Sequence, residues 1–201
     1  MKIIPAILAH TESELREKLV KVPRGAEEVH VDFTESSLIS PLVKGEYPAV
    51  GLPVQAGGRR GFAAHLMLPH PEEYFERLAA AGFKKIIVQI EQIRTPSVLK
   101  HSVSAGEVVE IIPSLEIPTP LSVIDSFVNE IKEVQLMGIA EIGAQGRPFD
   151  ARVVERVRAL HQKYPHLKIS VDGGVNKENA VRLEEAGASA LVVGSAIGEF
   201  I

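Results

Sequence analysis

Short apolar runs alternate with amphipathic stretches along almost the whole chain, and this order constrains the fold more than any other feature. Eight runs have the length of strands: 2–8, 27–33, 61–68, 84–91, 106–117, 133–140, 167–174 and 190–197. Helical periodicity occurs between them in 11–22, 71–82, 120–131, 149–164 and 177–188. Strands that alternate with helices are typical of parallel sheets, and eight of them favour a closed barrel over an open sheet. The sequence therefore predicts an α/β fold, a (β/α)8 TIM barrel.

This barrel should have fewer helices than usual. The segment 38–61 is rich in Pro and Gly and shows little helical period, and 92–105 has room for one or two turns. The chain reaches Ile201 soon after the eighth run. We therefore expect reduced helices after strands 2 and 4 and no full C-terminal helix. Poorly covered strand flanks would favour a homo-oligomer.

Composition narrows the class of protein. No linker, low-complexity run or composition break divides the 201 residues, so we expect one domain over 1–201. The formal charge of −4 gives no electrostatic case for nucleic acid or an anionic membrane as partner. No run approaches the ~20 apolar residues of a membrane span, and the start is too short for a signal peptide. With no cysteine in the chain, these features favour a cytoplasmic protein.

Polar residues interrupt three of the predicted strands. His30 and Asp32 lie two residues apart in an apolar strand, and therefore on one face. His65 lies late in the third strand, and Asp172 ends the seventh. Because reacting groups of such barrels lie at the C-terminal strand ends, these four side chains should converge at one mouth. Nitrogen and oxygen ligands without sulfur suit Zn, Mn, Fe(II) or Co.

Each of these residues also has a purely structural interpretation. A single strand histidine is more often a hydrogen-bonded core residue than a ligand, and an Asp before Gly-Gly is more often a turn former. Four of them at equivalent strand ends are harder to explain in that way. The spacing alone leaves a metal or acid–base site and a structural role about equally open.

Glycines cluster after the last strands. "DGGV" covers 172–175, "VVGSAI" covers 192–197, and "GAQG" at 143–146 follows the sixth strand. Backbone N–H groups after strands seven and eight form the usual phosphate site of such barrels. The candidate phosphate-binding residues are Gly143, Gly146, Gly173, Gly174, Gly194 and Ser195.

Several of these stretches resemble the ribulose-phosphate 3-epimerase family of the ribulose-phosphate-binding barrel superfamily. "IIPAIL", "VHVD", "HLML" before "HPEEY", and "IPTPL" are similar to family motifs, and 170–197 is the most specific stretch. The resemblance implies one divalent metal ion held by two His and two Asp: His30, Asp32, His65 and Asp172. It implies substrate contacts at His65 and Met67, a second sulfur at Met137, and phosphate contacts at Gly146, Gly174, Gly194 and Ser195.

The same resemblance implies an activity on a small-molecule phosphosugar. The family inverts C3 of a keto-pentose phosphate, converting D-ribulose 5-phosphate to D-xylulose 5-phosphate in the pentose phosphate pathway. The reaction passes through an enediolate, whose charge the metal stabilises as a Lewis acid. Inversion needs one acid–base group on each face of C3, and the resemblance assigns these roles to Asp32 and Asp172.

The sequence departs from the family where the sugar would be recognised. Ala6 replaces a Ser, Thr34-Glu35-Ser36 replaces Met-Asp-Gly, Gln89 replaces a His, and Glu116 replaces an Asn. "GAQG" with Arg147 beside it replaces a Gly-Phe-Gly-Gly core. Two other interpretations therefore remain open. One is another phosphosugar barrel enzyme, of aldolase or decarboxylase type, and the other is a non-catalytic phosphosugar-binding relic.

Overall fold

A computed structural model, which describes residues 1–34, 61–100 and 109–200, shows a closed barrel of eight parallel strands. Each strand pairs with its sequence neighbours, and β8 pairs with β1. The strands are β1 (Lys2–Leu8), β2 (Glu28–Thr34), β3 (Gly61–Met67), β4 (Lys85–Gln89), β5 (Glu110–Leu115), β6 (Glu133–Met137), β7 (Lys168–Asp172) and β8 (Ala190–Val193). The predicted TIM barrel is confirmed.

Four α-helices lie in the described ranges: α1 (Glu12–Val20), α2 (Phe75–Ala80), α3 (Arg152–Lys163) and α4 (Lys177–Ala186). Thr11 caps α1, because its side chain accepts a hydrogen bond from the Glu14 N–H. Asn176 and Asn179 cap α4 reciprocally. Across these same ranges, every helix falls short of the length and apolar character that crossing a membrane requires.

The helix predicted over 120–131 is wrong. The segment forms two 3-10 turns, Leu121–Ile124 and Val128–Glu130, with hydrogen bonds such as Phe127 N–H to the Ile124 carbonyl. Ile124, Phe127, Val128 and Ile131 are buried, which explains the helical period in the sequence. The spacing of the apolar residues shows only which of them face the core. The Ser, Asp and Asn residues between them disfavour a regular α-helix.

The barrel has few helices, as expected. A 3-10 helix, Pro96–Lys100, follows β4, and another, Ile197–Phe200, follows β8. The 71–82 stretch begins as a 3-10 turn, Pro71–Tyr74, before α2. The reduced helix predicted after β2 lies in 35–60, outside the described residues.

The side chains inside the barrel are charged at its floor, apolar above the floor and polar near its mouth. At the floor, Lys85 Nζ lies 3.4 Å from Glu28 Oε1 and 3.0 Å from Glu133 Oε2. An apolar layer follows, made by two buried clusters: Ile4, Ala190 and Val192, and Ala63, Ile87 and Ile112. The next inward positions are polar and buried: His30, Asp32, His65, Gln89, Ser114, Gln135 and Asp172. The barrel therefore places its polar groups together toward the C-terminal ends of the strands.

Candidate metal centre and cleft

Two neighbouring strands bring His30, Asp32 and His65 together. His30 and Asp32 share the inner face of β2, and the register places Asp32 beside His65 of β3. The Nδ1 atoms of His30 and His65 lie 3.2 and 3.3 Å from Asp32 Oδ1. One carboxylate oxygen thus accepts hydrogen bonds from both rings, whose centroids are 5.2 Å apart.

Asp172 joins this cluster from the other side of the barrel. It is the last residue of β7, and its Oδ2 lies 3.1 Å from His65 Nδ1. Ligand atoms of His30, Asp32, His65 and Asp172 all lie within 4.8 Å of one another, and all four residues are buried. The structure therefore brings together the four side chains that the sequence singled out.

The cluster could hold a metal ion. His30 Nε2 is buried and has no hydrogen-bond partner, which costs free energy unless another group supplies one. An ion bound among these side chains could fill that need, and two imidazoles with two carboxylates are a donor set that divalent transition metals accept. The residues present therefore fit a metal site.

Opposite charges shift the pKa values inside the cluster. Burial by itself would raise the pKa of Asp32, but hydrogen bonds from His30 and His65 outweigh it and hold that pKa well below its usual range. Burial by itself would lower the pKa of His65, but hydrogen bonds to Asp172 and Asp32 raise it to about 9. Without a metal, His65 therefore carries a proton at neutral pH that an incoming ion must displace.

Sequence reasoning missed Ser114 and Gln135 of this layer, and it noted Gln89 only as a departure from the family motif. The Gln89 amide lies 2.8 Å from His65 Nε2, and its Oε1 is buried without a partner. Gln135 donates to Asp172 Oδ2 at 3.4 Å and to Ser114 Oγ at 3.3 Å. Each residue interrupts an apolar strand, as His30 does, and that signal could have revealed them.

An open cleft lies above the cluster at the mouth of the barrel, with about 530 Å³ of empty space when the part open to solvent is included. Asp32 and Asp172 line its inner end, whereas His30 and His65 are buried and do not line it. The other predicted site residues that line the cleft are Met67, Met137, Gly143, Gly146, Gly173, Gly174, Gly194 and Ser195. Every predicted site residue is therefore in the cleft or directly beneath it.

Close packing explains one of the cleft glycines. Gly174 has φ +67°, and a Cβ at this position would lie 2.7 Å from the Phe149 Cα. At Gly194, a Cβ would lie 2.9 Å from Gln145 Nε2, the end of a side chain that can move aside. The loops after β6, β7 and β8 thus meet at one end of the cleft, where a side chain at position 174 would push the β7 loop away from Phe149.

The residues that depart from the family motifs are also near the mouth. Ala6 lines the cleft, and Thr34 ends β2 with its side chain buried. Glu91 Oε1 accepts a hydrogen bond from the Glu116 N–H at 3.0 Å. Burial, together with the Glu91 charge, raises the pKa of Glu116. Glu35 and Ser36 lie outside the described residues.

Comparison with known sequences covers nearly the whole chain. A model of the ribulose-phosphate 3-epimerase family matches residues 2–198. The ribulose-phosphate 3-epimerase of Bacillus subtilis (strain 168) is 31% identical over 214 residues, covering 98% of this chain and 92% of that protein. The cytoplasmic isoform from Oryza sativa subsp. japonica is 31% identical over 204 residues, covering 98% and 86%.

Solved structures match the fold at lower identity. A 3-hexulose-6-phosphate synthase superposes with a TM-score of 0.64 at 21% identity, over 98% of this chain and 92% of that one. A native KDPGal structure superposes with a TM-score of 0.66 at 19% identity, over 97% and 83%. At these identities, both support the barrel architecture alone.

Proposed function

The chain belongs to the ribulose-phosphate 3-epimerase family, and we propose that it is a metal-dependent epimerase that inverts C3 of a keto-sugar phosphate. The substrate we propose is D-ribulose 5-phosphate, with D-xylulose 5-phosphate as product, or a closely related phosphosugar. The observation that carries this proposal is the buried cluster of two His and two Asp at the inner end of the cleft.

Position in the cleft supports different roles for the two residue types. Among the four side chains, Asp32 and Asp172 reach the cleft surface, whereas His30 and His65 lie beneath it. The carboxylates can therefore touch a bound sugar, and the imidazoles are placed to bind an ion from below, while the substrate contact predicted for His65 stays a prediction. We assign Asp32 and Asp172 as the acid–base pair, one removing the C3 proton and the other returning a proton on the opposite face.

A divalent ion (Zn, Mn, Fe(II) or Co), bound by all four side chains, would stabilise the negative charge of the enediolate as a Lewis acid. The protein itself contributes charge and orientation. In the metal-free protein, hydrogen bonds from His30 and His65 hold the pKa of Asp32 below its usual range, so its carboxylate is ionised at neutral pH. The positive charge of a bound ion would keep the carboxylate ionised after those hydrogen bonds are lost. Met67 and Met137 form apolar walls of the cleft near these carboxylates.

The glycine-rich end of the cleft suits the phosphate of the substrate. Gly173 and Gly174 precede α4, and Gly194 and Ser195 follow β8. Backbone N–H groups in such positions, together with the Ser195 hydroxyl, are suited to an anion. Gly143 and Gly146, in the loop after β6, line the same end. We propose that these groups bind phosphate while the sugar extends toward Asp32 and Asp172.

Ala6 favours a second candidate function. It lines the cleft where the family motif has a hydroxyl, so the surface that contacts the sugar is altered. An aldolase or decarboxylase acting on a related phosphosugar would use the same enediolate chemistry. A change in the carbon skeleton of the product would identify such an enzyme, whereas an epimerase preserves the skeleton. A relic without activity would bind phosphosugars and leave C3 unchanged.

Isotope exchange at C3 tests the proposed reaction. We expect metal-loaded protein incubated with ribulose 5-phosphate in D2O to incorporate deuterium at C3 and to produce xylulose 5-phosphate, both followed by NMR. Protein treated with a chelator should do neither. Absence of exchange with metal present would overturn the assignment of ribulose 5-phosphate. Exchange without xylulose 5-phosphate would contradict the two-face assignment.

Gln89 should help to hold His65 in place for a metal ion. When Nδ1 of His65 binds the ion, Nε2 carries the remaining proton and needs an acceptor. Turning the Gln89 amide by 180° would place its unpaired Oε1 beside that nitrogen. We expect Gln89→Leu to weaken metal affinity about 10- to 100-fold, as measured by competition with a chromogenic chelator.

A matched substitution separates this effect from a general disturbance of packing. Ile112 belongs to the apolar layer of the same barrel interior. Ile112→Met should change metal affinity by less than about twofold, because volume-conserving core changes are well tolerated. Equal metal affinity in Gln89→Leu and the unmodified protein would show that Gln89 does not orient His65.

A further inference from the structure

The loop after β6 places a cation in the cleft. Arg147 lines the cleft together with Gly146, Gly174, Gly194 and Ser195, the residues proposed above to receive the substrate phosphate. Its side chain is 47% exposed. The proposed phosphate contacts are backbone amides and one hydroxyl, so this guanidinium is a new element at that end of the cleft.

Arg147 could balance the negative charge that a phosphate group brings into the cleft. Among the described lining residues, Asp32 and Asp172 carry negative charge and Arg147 carries positive charge. A phosphate monoester brings a charge of about −1.5 to −2 at neutral pH. A dianion that enters a cleft with two carboxylates needs compensation, and a guanidinium can supply it with two parallel hydrogen bonds.

The present partner of Arg147 can be exchanged for a ligand. An Arg147 guanidinium nitrogen lies 3.2 Å from Glu141 Oε2, and the Glu141 side chain is 73% exposed. Exposed pairs of this kind contribute little to stability, because water screens both charges. A phosphate in the partly enclosed cleft would therefore compete well with Glu141 for the guanidinium.

We propose that Arg147 is a phosphate-binding residue of this chain, which exchanges its ion pair with Glu141 for the phosphate group of the bound substrate. The inference rests on the proposed function in that the cleft receives a phosphorylated sugar. It adds a ligand-dependent rearrangement: Glu141 holds the guanidinium near the cleft until phosphate arrives. The loop 141–147 would thereby discriminate phosphorylated from unphosphorylated sugars.

Titration with inorganic phosphate tests Arg147 without any turnover. Metal-loaded protein is titrated with phosphate and followed by 31P NMR. We expect Arg147→Met to weaken phosphate binding about 10- to 100-fold, as is usual when a charged hydrogen-bond partner is removed, and Arg147→Lys to recover part of the loss. Glu141→Gln, which removes the competing carboxylate, should tighten binding up to about fivefold.

The chain offers a closely matched control. Arg158 pairs with Glu155 on the surface of α3, with side chains 43% and 75% exposed, nearly the values for Arg147 and Glu141. Arg158→Met should leave phosphate binding unchanged. Two results would overturn the proposal: Arg147→Met binding phosphate as well as the unmodified protein, or the unmodified protein showing no phosphate binding at millimolar concentration.

A second measurement separates this proposal from the proposed reaction. In the C3 exchange assay, Arg147→Met should raise KM for ribulose 5-phosphate. Phosphate binding that depends on Arg147, without C3 exchange, would overturn the epimerase and retain the anion site. C3 exchange with an unaltered KM in Arg147→Met would overturn the phosphate-binding role of Arg147 and retain the epimerase.

Discussion

Replacing Asp172 with Asn should lower kcat for epimerisation by about 10²- to 10⁴-fold, because an amide cannot accept or return the C3 proton. Asp32→Asn should cause a loss of similar size from the opposite face. Asn keeps an oxygen donor at each position, so the variants should retain metal at saturating concentration, which metal analysis can verify. Asp125→Asn, which changes an exposed carboxylate paired with Lys163, should leave kcat unchanged.

The exchange pattern of the two variants is more informative than the loss of rate. If each carboxylate serves one face, either variant should still exchange C3 of one epimer with D2O while interconverting neither. Asp172→Asn and Asp32→Asn should then be complementary: one exchanges ribulose 5-phosphate and the other xylulose 5-phosphate. Epimerisation within tenfold of the unmodified rate, at saturating metal, would exclude Asp172 or Asp32 as an essential base.

Metal removal should have the second large effect, on stability as well as on activity. An ion present at 100 times its dissociation constant stabilises the folded state by about 2.7 kcal/mol. For a chain of this length, each kcal/mol shifts Tm by about 2–4 °C, so chelation should lower Tm by roughly 5–10 °C in thermal denaturation. Chelator-treated protein should also lose C3 exchange, and added metal should restore both properties.

Histidine variants and pH provide the controls for metal binding. His30→Ala should abolish the Tm difference between loaded and chelated protein, whereas His166→Ala, at an exposed position, should preserve it.

The pKa of His65 is raised from 6.5 to about 9, so its stabilising contribution to metal-free protein is fully present below pH 6.5 and disappears as pH rises through 9. The metal-dependent rise in Tm should therefore be larger at pH 9 than at pH 7. A rise that is independent of pH would contradict displacement of the His65 proton.

The barrel, and the meeting of two His and two Asp at its mouth, could be predicted because both depend on periodic features, whereas the expectation of a metal came from the family resemblance. Parallel strands that are covered on both faces appear as apolar runs, so a polar pair such as His30 and Asp32 is conspicuous. A barrel then aligns the C-terminal ends of its strands, which is why Asp172 meets residues more than a hundred positions earlier. Location in the cytoplasm, a single domain and a homo-oligomer stay predictions.

Other features could not be predicted from period or motif. The 3-10 turns over 121–130 bury the same side chains as a helix would, so the apolar pattern does not distinguish them. The contact between Gln89 and His65 depends on register across two strands and on side-chain length, neither of which a single sequence reports. The ion pair of Arg147 with Glu141 depends on the path of an irregular loop.

The charged floor of the barrel determines the route that ligands take. Lys2 and Lys85 bind Glu28 there, and Ile87 and Ile112 lie above them with 3% and 2% exposure. Within the described residues, these contacts close the lower end of the barrel interior, and the cleft opens at the other end, beside the loops after β6, β7 and β8. A ligand bound at Asp32 and Asp172 would therefore enter and leave by one route, so a bound product would have to be released before the next substrate could enter.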